Sequence, residues 1–262
     1  MTVLRKILTA ALLIIPVTAA AWSDTTTQAD EVIERGPDKP DLSRCAGVGP
    51  ASPYPDYNAH PLQPDNTGMS LAAMELAHKI RLGWNLGNTL EAIGGETAWG
   101  NPRATRGLIR RVKSSGFDAI RIPASWDQFA DPQTAKIDEK WLKRVREVIR
   151  YALDADLAAV LNIHWDGGWL ENNVTPAKQD ANNAKQWAYW QQIATHLRDF
   201  DERLIFAGAN EPNVDDAKQM SALNSYHQTF VDAVRCTGGK NAYRVLVVQG
   251  PGTDIEKTDR FW

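Results

Sequence analysis

The sequence predicts an α/β chain of the (β/α)8, TIM-barrel type, incomplete, with about the first five β/α units present. Three observations carry this. Five short apolar runs are centred near Leu86, Ile122, Ile163, Phe206 and Val248, 36 to 43 residues apart. Helical apolar faces separate them. Polar and aromatic residues follow run after run, as the C-terminal face of a barrel requires. Short, near-continuous apolar strands joined by helices are parallel strands buried on both faces, which a doubly wound sheet would also supply. The barrel is favoured because no Gly-rich phosphate loop follows the first strand, where a dinucleotide fold carries one.

The first residues do not belong to that fold. Arg5 and Lys6 precede an apolar stretch, Ile7 to Val17, and Ala19-Ala20-Ala21 offers small residues for cleavage. The pattern predicts a signal peptide over 1–21, cut near Ala20-Ala21, and a secreted or periplasmic protein. The stretch is shorter than the roughly 20 residues of a membrane span, so no membrane association is expected after cleavage. Residues 22–68 hold seven of the fourteen prolines and few large apolar side chains. They predict an irregular leader, either disordered or draped over the body.

The barrel region is expected over 69–262. Ala73, Leu76, Ala77 and Ile80 make one apolar helical face. The first strand is expected over 82–86. A helix follows within 103–115, opened by Pro102 and closed by Gly116, and then a strand over 117–122. Asp138 caps the next helix, whose face is Trp141, Val145, Val148 and Ala152. The third strand covers 157–163. Trp187, Trp190, Ala194 and Leu197 face one side of the following helix, and the fourth strand covers 204–207. Met220, Leu223, His227, Phe230 and Val234 line the next helix, before a fifth strand over 244–248.

The net charge of −3, with no basic run, gives no reason to expect nucleic acid or an anionic membrane as partner. Cys45 and Cys236, the two cysteines, do not resemble a metal site. An exported chain permits a disulfide between them. Cys236 ends a helix at the bottom face, so the bond would pin the leader there. Tryptophan is the outlier, with ten residues. Trp84, Trp99, Trp126, Trp165 and Trp169 fall at or just after expected strands, where indole faces can stack on sugars.

The strand ends collect a consistent chemistry. The first delivers Trp84, Asn85 and Glu91, and the second Arg121, followed by Trp126 and Asp127. A buried Arg is costly unless paired, and carboxylates at the barrel mouth are its expected partners. The third delivers His164, Trp165, Asp166 and Trp169, the fourth Asn210 and Glu211, the fifth Gln249. Amides, one Arg, one His, several Trp and the Glu beside Asn210 suit a neutral sugar and need no cofactor. His164 and Asp166 could instead ligate a metal, giving a metal-dependent hydrolase. That alternative is weak because the other strand ends offer mainly Asn, Arg and Trp rather than more His and Asp.

Several segments carry a resemblance. Gly83-Trp84-Asn85-Leu86-Gly87-Asn88-Thr89-Leu90-Glu91, Glu96 to Pro102, Arg121-Ile122-Pro123, Asn162 to Trp169 and Asn210-Glu211-Pro212 arrive in order. They resemble glycoside hydrolase family 5, the cellulase A family, and most of all its bacterial endoglucanase and xyloglucanase branch. The resemblance implies a retaining β-glycanase acting on β-glucan polysaccharide or oligosaccharide, monomeric once its barrel is complete. It implies Glu211 as general acid/base, Asn210 contacting the sugar 2-hydroxyl, Arg121 holding the nucleophile and His164 lining the cleavage subsite. Trp84, Trp165 and Trp169 would stack on sugars, with Asn85 also in the binding site.

The family's nucleophile is a Glu at the end of the seventh strand, and this sequence reaches only the fifth. The expectation is therefore a C-terminally truncated chain, without nucleophile and inactive as written. Asp166, Asp127 and Glu91 share the expected face, and Asp166 could approach Glu211 as a substitute. A further alternative is a non-catalytic carbohydrate-binding fragment, or a partner for a missing half.

Overall fold

In the computed structural model, the structure describes Leu42, Cys45 and residues 49–261. These fall in a single compact unit, 35–262. The expected signal peptide lies outside the described residues.

The elements alternate as β/α units. They run α1 (Ala73–Lys79), β1 (Gly83–Asn85), α2 (Arg106–Ser114), β2 (Ala119–Ile122), α3 (Glu139–Asp154) and β3 (Ala158–Asn162). They continue with α4 (Gln179–Leu197), β4 (Leu204–Ala207), α5 (Ala217–Cys236), β5 (Leu246–Val247) and α6 (Ile255–Phe261). The five strands form one parallel sheet in the order β1-β2-β3-β4-β5. A doubly wound sheet reverses its strand order at a switch point. Strictly sequential order instead describes part of a (β/α)8 barrel. Burial follows position: all four residues of β4 are buried, whereas β1 and β5, the sheet's two edges, are half-open.

Local chemistry explains the helix boundaries. Asp138 caps α3, accepting from Lys140 N–H at 2.7 Å, and Trp141, Val145, Val148 and Ala152 are all buried. The second helix starts later than Pro102. Thr105 Oγ1 accepts from Leu108 N–H at 3.1 Å, a cap that Pro cannot provide, and Pro102 remains in the preceding loop. That helix does end at Gly116, whose φ of 93° continues the chain in the left-handed region. The face expected of α1 is mostly not a face: Leu76 is buried, but Ala73 and Ala77 are exposed. A helix of seven residues, about two turns, covers too little of the sheet to bury more.

The main core lies between the sheet and α2–α5, with Ile120, Leu161, Trp190, Phe206 and Phe230 fully buried. Trp190 packs on Phe206 and Phe230 at ring distances of 5.4 and 4.5 Å. The leader, where described, is draped over the body. Leu62 and Asp65 donate to the carbonyls of Thr237 and Gly239, and Tyr57 Oη donates to Thr134. Gly238 permits this: a Cβ there would fall 1.8 Å from the Leu62 carbonyl oxygen, and its φ is 68°. Cys45 and Cys236 form a disulfide that ties the leader to the end of α5.

Candidate active site

The C-terminal ends of β1–β4 bring the expected polar residues together. Arg121, on β2, is the hub. Its Nη1 donates to Asn85 Oδ1 on β1 at 3.0 Å, and its Nη2 donates to Asn210 Oδ1 after β4. The bonded partners are thus two amides, not the carboxylates expected. Carboxylates still surround it. Burial lowers the Arg121 pKa, and Glu91, Glu211 and Glu171 oppose that shift.

His164 follows β3, and its backbone N–H donates to Ala124 O at 3.0 Å. Arg121 Nη2 and Asn162 Nδ2 both stand 3.4 Å from His164 Nδ1. Two donors converging on one nitrogen make Nδ1 the acceptor and leave the proton on Nε2. Burial, aided by the Arg121 charge, lowers the imidazole to about 4. The ring is therefore neutral at ordinary pH.

Glu211 is exposed, beside a buried Asn210. The turn carrying them is braced on both sides. Gln249 Oε1 accepts from Ala209 N–H at 2.9 Å, Thr253 Oγ1 donates to Asn210 O at 2.6 Å, and Gly252 N–H donates to Pro212 O at 2.8 Å. Gln249 is thus a strut for the turn.

On the other side stands a residue that the sequence pattern did not single out, Glu171. It lies in a 3-10 turn, Glu171–Asn173, of the β3–α4 loop and is 4% exposed. Its Oε1 accepts from Glu211 N–H at 2.9 Å, and the nearby Asn210 side chain helps to lower its carboxyl. Nothing in the spacing marks it, because it sits mid-loop, away from any strand end.

The carboxylates considered as substitutes have other duties. Asp166 Oδ2 accepts from Trp126 N–H and Asp127 N–H at 2.8 Å each and from Trp169 Nε1 at 3.2 Å. Burial, the largest influence, raises this carboxyl to about 6. Glu91 accepts from the Asn88 and Thr89 amides. Asp127 Oδ1 accepts from Lys185 Nζ and Tyr189 Oη. Nor do His164 and Asp166 converge as metal ligands. His164 faces the Arg121 cation, Asp166 is taken up by three N–H donors, and no group of three or more ligating side chains occurs among the described residues.

The tryptophans divide. Trp165 and Trp99 are 41% and 46% exposed. Trp84 is half-buried. Trp169 is wedged between Tyr189, edge-on at 5.7 Å, and Lys185, 5.2 Å above its ring. Trp126 is fully buried with its Nε1 on Asn162 O, so it packs the core and offers no face to a sugar. The loop bearing Trp99 is tied down by Glu96, which accepts from Ala104 N–H and from a buried Arg144.

Residues 85–260 match the family described as Cellulase (glycosyl hydrolase family 5). This chain belongs to glycosyl hydrolase family 5. It is 42% identical over 221 residues to a xyloglucan-specific endo-beta-1,4-glucanase of Bacteroides ovatus, covering 78% of this chain and 44% of that protein. It is 37% identical over 202 residues to the cellulase/esterase CelE of Acetivibrio thermocellus, covering 72% and 24%. Among solved structures, the Bacteroides ovatus family 5 xyloglucanase in complex with a XXXG heptasaccharide aligns with a TM-score of 0.74 at 40% identity, over 80% of this chain and 48% of that one. A broad specificity endoglucanase from Ruminococcus champanellensis with bound cellotriose aligns at 0.66 and 40%, over 70% and 58%. The chain thus spans less than half the length of these two curated relatives. Among the described residues, no helix is long and apolar enough to cross a membrane.

Proposed function

We propose that this chain carries the acid/base half of a retaining β-glycanase site that hydrolyses β-1,4-linked glucans of the cellulose and xyloglucan type. The observation that carries the reading is the strand-end constellation. An exposed Glu211 stands beside Asn210, which is bound to Arg121, which is bound to Asn85 and flanked by a neutral His164. Family membership and the glucan ligands of the similar structures support the substrate class.

In this reading Glu211 protonates the glycosidic oxygen as it leaves and later deprotonates the attacking water. Asn210 contacts the sugar 2-hydroxyl. Arg121 holds the nucleophile, and His164 lines the cleavage subsite as a neutral hydrogen-bonding group. Trp84, Trp165 and Trp169 offer faces to sugar rings. A retaining pair needs its carboxyls about 5–5.5 Å apart across the bond. The buried Glu171, Glu91 and Asp166 are each turned onto protein N–H donors. The nucleophile is accordingly not assigned to any of these three, and no hydrolysis by residues 1–262 alone is expected. Residues 1–21 act as the export signal and 22–68 as the leader to the catalytic region over 69–262. The Cys45–Cys236 disulfide fits an oxidising compartment.

Calorimetric titration with cellotetraose and with a xyloglucan heptasaccharide is expected to show binding, while reducing-sugar release from soluble β-glucan stays at background. Failure to bind either oligosaccharide overturns the substrate class. Release that disappears in Glu211→Gln overturns the placement of the nucleophile.

A further inference from the structure

We infer that Glu171 is a positioning residue that fixes the amide orientation of Asn210 and the backbone of Glu211. Its catalytic meaning rests on the assignment of Glu211 as acid/base; its geometry does not. The β3–α4 loop grips the turn after β4 through three hydrogen bonds, made by Glu171 and Asn172. Glu171 Oε1 accepts from Glu211 N–H at 2.9 Å, Glu171 O accepts from Asn213 N–H at 3.0 Å, and Asn172 Oδ1 accepts from Asn213 Nδ2 at 2.7 Å.

The side chain of Asn210 sits between two groups of opposite hydrogen-bonding character. Arg121 can only donate, and it donates to Asn210 Oδ1. An ionised Glu171 can only accept, and the Asn210 side chain lies near enough to lower its carboxyl. An Asn amide can flip by half a turn with little change in shape. Here a flip would set N–H against guanidinium and oxygen against carboxylate. Only one orientation is allowed, with Oδ1 toward Arg121 and Nδ2 toward Glu171. That leaves one N–H of Nδ2 for a sugar hydroxyl.

The electrostatics agree. Burial raises the Glu171 carboxyl, and the nearby Glu211 adds to the rise. The Glu211 N–H, the Asn210 amide and the Arg121 charge oppose it. A buried carboxyl that takes the Glu211 N–H at 2.9 Å is built to accept.

The test uses the full chain, isotope-labelled, with Glu171→Ala and the isosteric Glu171→Gln. Hydrogen exchange at the Glu211 amide is expected to rise about tenfold in Glu171→Ala, while amides of β2–β4 stay within about twofold. The Gln variant keeps the volume but has fewer acceptors. It is expected to show the same selective effect at smaller amplitude, with shifted Asn210 side-chain NH2 signals. Cellotetraose affinity is expected to fall about tenfold in both. Unchanged exchange at Glu211, or equal acceleration throughout β2–β4, overturns the inference, as do unmoved Asn210 signals in the Gln variant. If the parent chain fails to bind cellotetraose, the glycanase reading falls, and the exchange and NH2 signals still decide the role of Glu171.

Discussion

The two ends of the strands use arginine in opposite ways. At the C-terminal end, Arg121 is half-buried and donates to the side-chain amides of Asn85 and Asn210. At the N-terminal end, Arg244 is fully buried and donates mainly to backbone. Its targets are the carbonyls of Phe200, Asp201 and Leu204 at 2.6 to 2.8 Å, with Asn241 Oδ1 at 2.7 Å. Arg235 adds bonds to the carbonyls of Asn241 and Arg244, and the disulfide clamps the leader nearby. Carbonyl partners lock a backbone path, while side-chain partners can also meet a ligand. One end of the sheet is a seal and the other is a workplace, the division expected of barrel faces.

The sharpest way to break this contrast is Arg244→Met. The substitution keeps much of the apolar bulk but strands four acceptors in a dry site. A loss of about 4 kcal/mol in unfolding free energy is expected, read by urea denaturation. Oligosaccharide affinity in the surviving folded fraction is expected to be unchanged. A loss under about 1 kcal/mol would mean that the N-terminal end is not the seal.

Asp166 tests whether the division is strict, because it lies at the C-terminal end yet acts as a brace. One of its oxygens serves three N–H donors, and the other is buried without a partner among the described residues. Burial raises its carboxyl from 3.8 to about 6. The folded state therefore binds this proton more tightly than the unfolded chain. The stability it confers is fully present below pH 3.8 and is lost as pH rises through about 6. Replacement by Asn, which cannot ionise, removes that dependence. Relative to the parent, Asp166→Asn is expected to gain about 2 kcal/mol between pH 4 and pH 7, most of the free energy of the shift. Urea curves of both proteins at the two pH values check this, and parallel pH dependences would contradict it.

How much of this could be read from the sequence follows the range of each signal. Periodicity and caps act locally, so β4, the Asp138 cap and the Gly116 stop lie where the pattern puts them. Arg121, His164, Asn210 and Glu211 were legible because each sits at a strand end, where topology alone brings residues together. Glu171 was not, because its place depends on how a loop folds back over the next strand. Trp126 misled for a similar reason: it follows a strand end, but its backbone N–H is drawn to Asp166 and its ring enters the core. The start of α2 was misplaced because Pro102 and Thr105 both carry helix-start signals. The Thr hydroxyl, which can satisfy a free backbone N–H, decided it.

The smallest effect on stability should come from Trp165, and it sharpens the contrast most. Its ring is 41% exposed after β3, so Trp165→Ala removes little buried surface and should change unfolding free energy by less than about 0.5 kcal/mol. If that face stacks on a sugar ring, about 1 kcal/mol of contact is lost, and cellotetraose affinity should fall about fivefold. Binding at the C-terminal end then changes with stability untouched, the reverse of Arg244→Met. Calorimetric titration beside urea denaturation of the same sample reads both. A variant that loses stability but keeps its affinity would place Trp165 among the bracing residues, with Trp126.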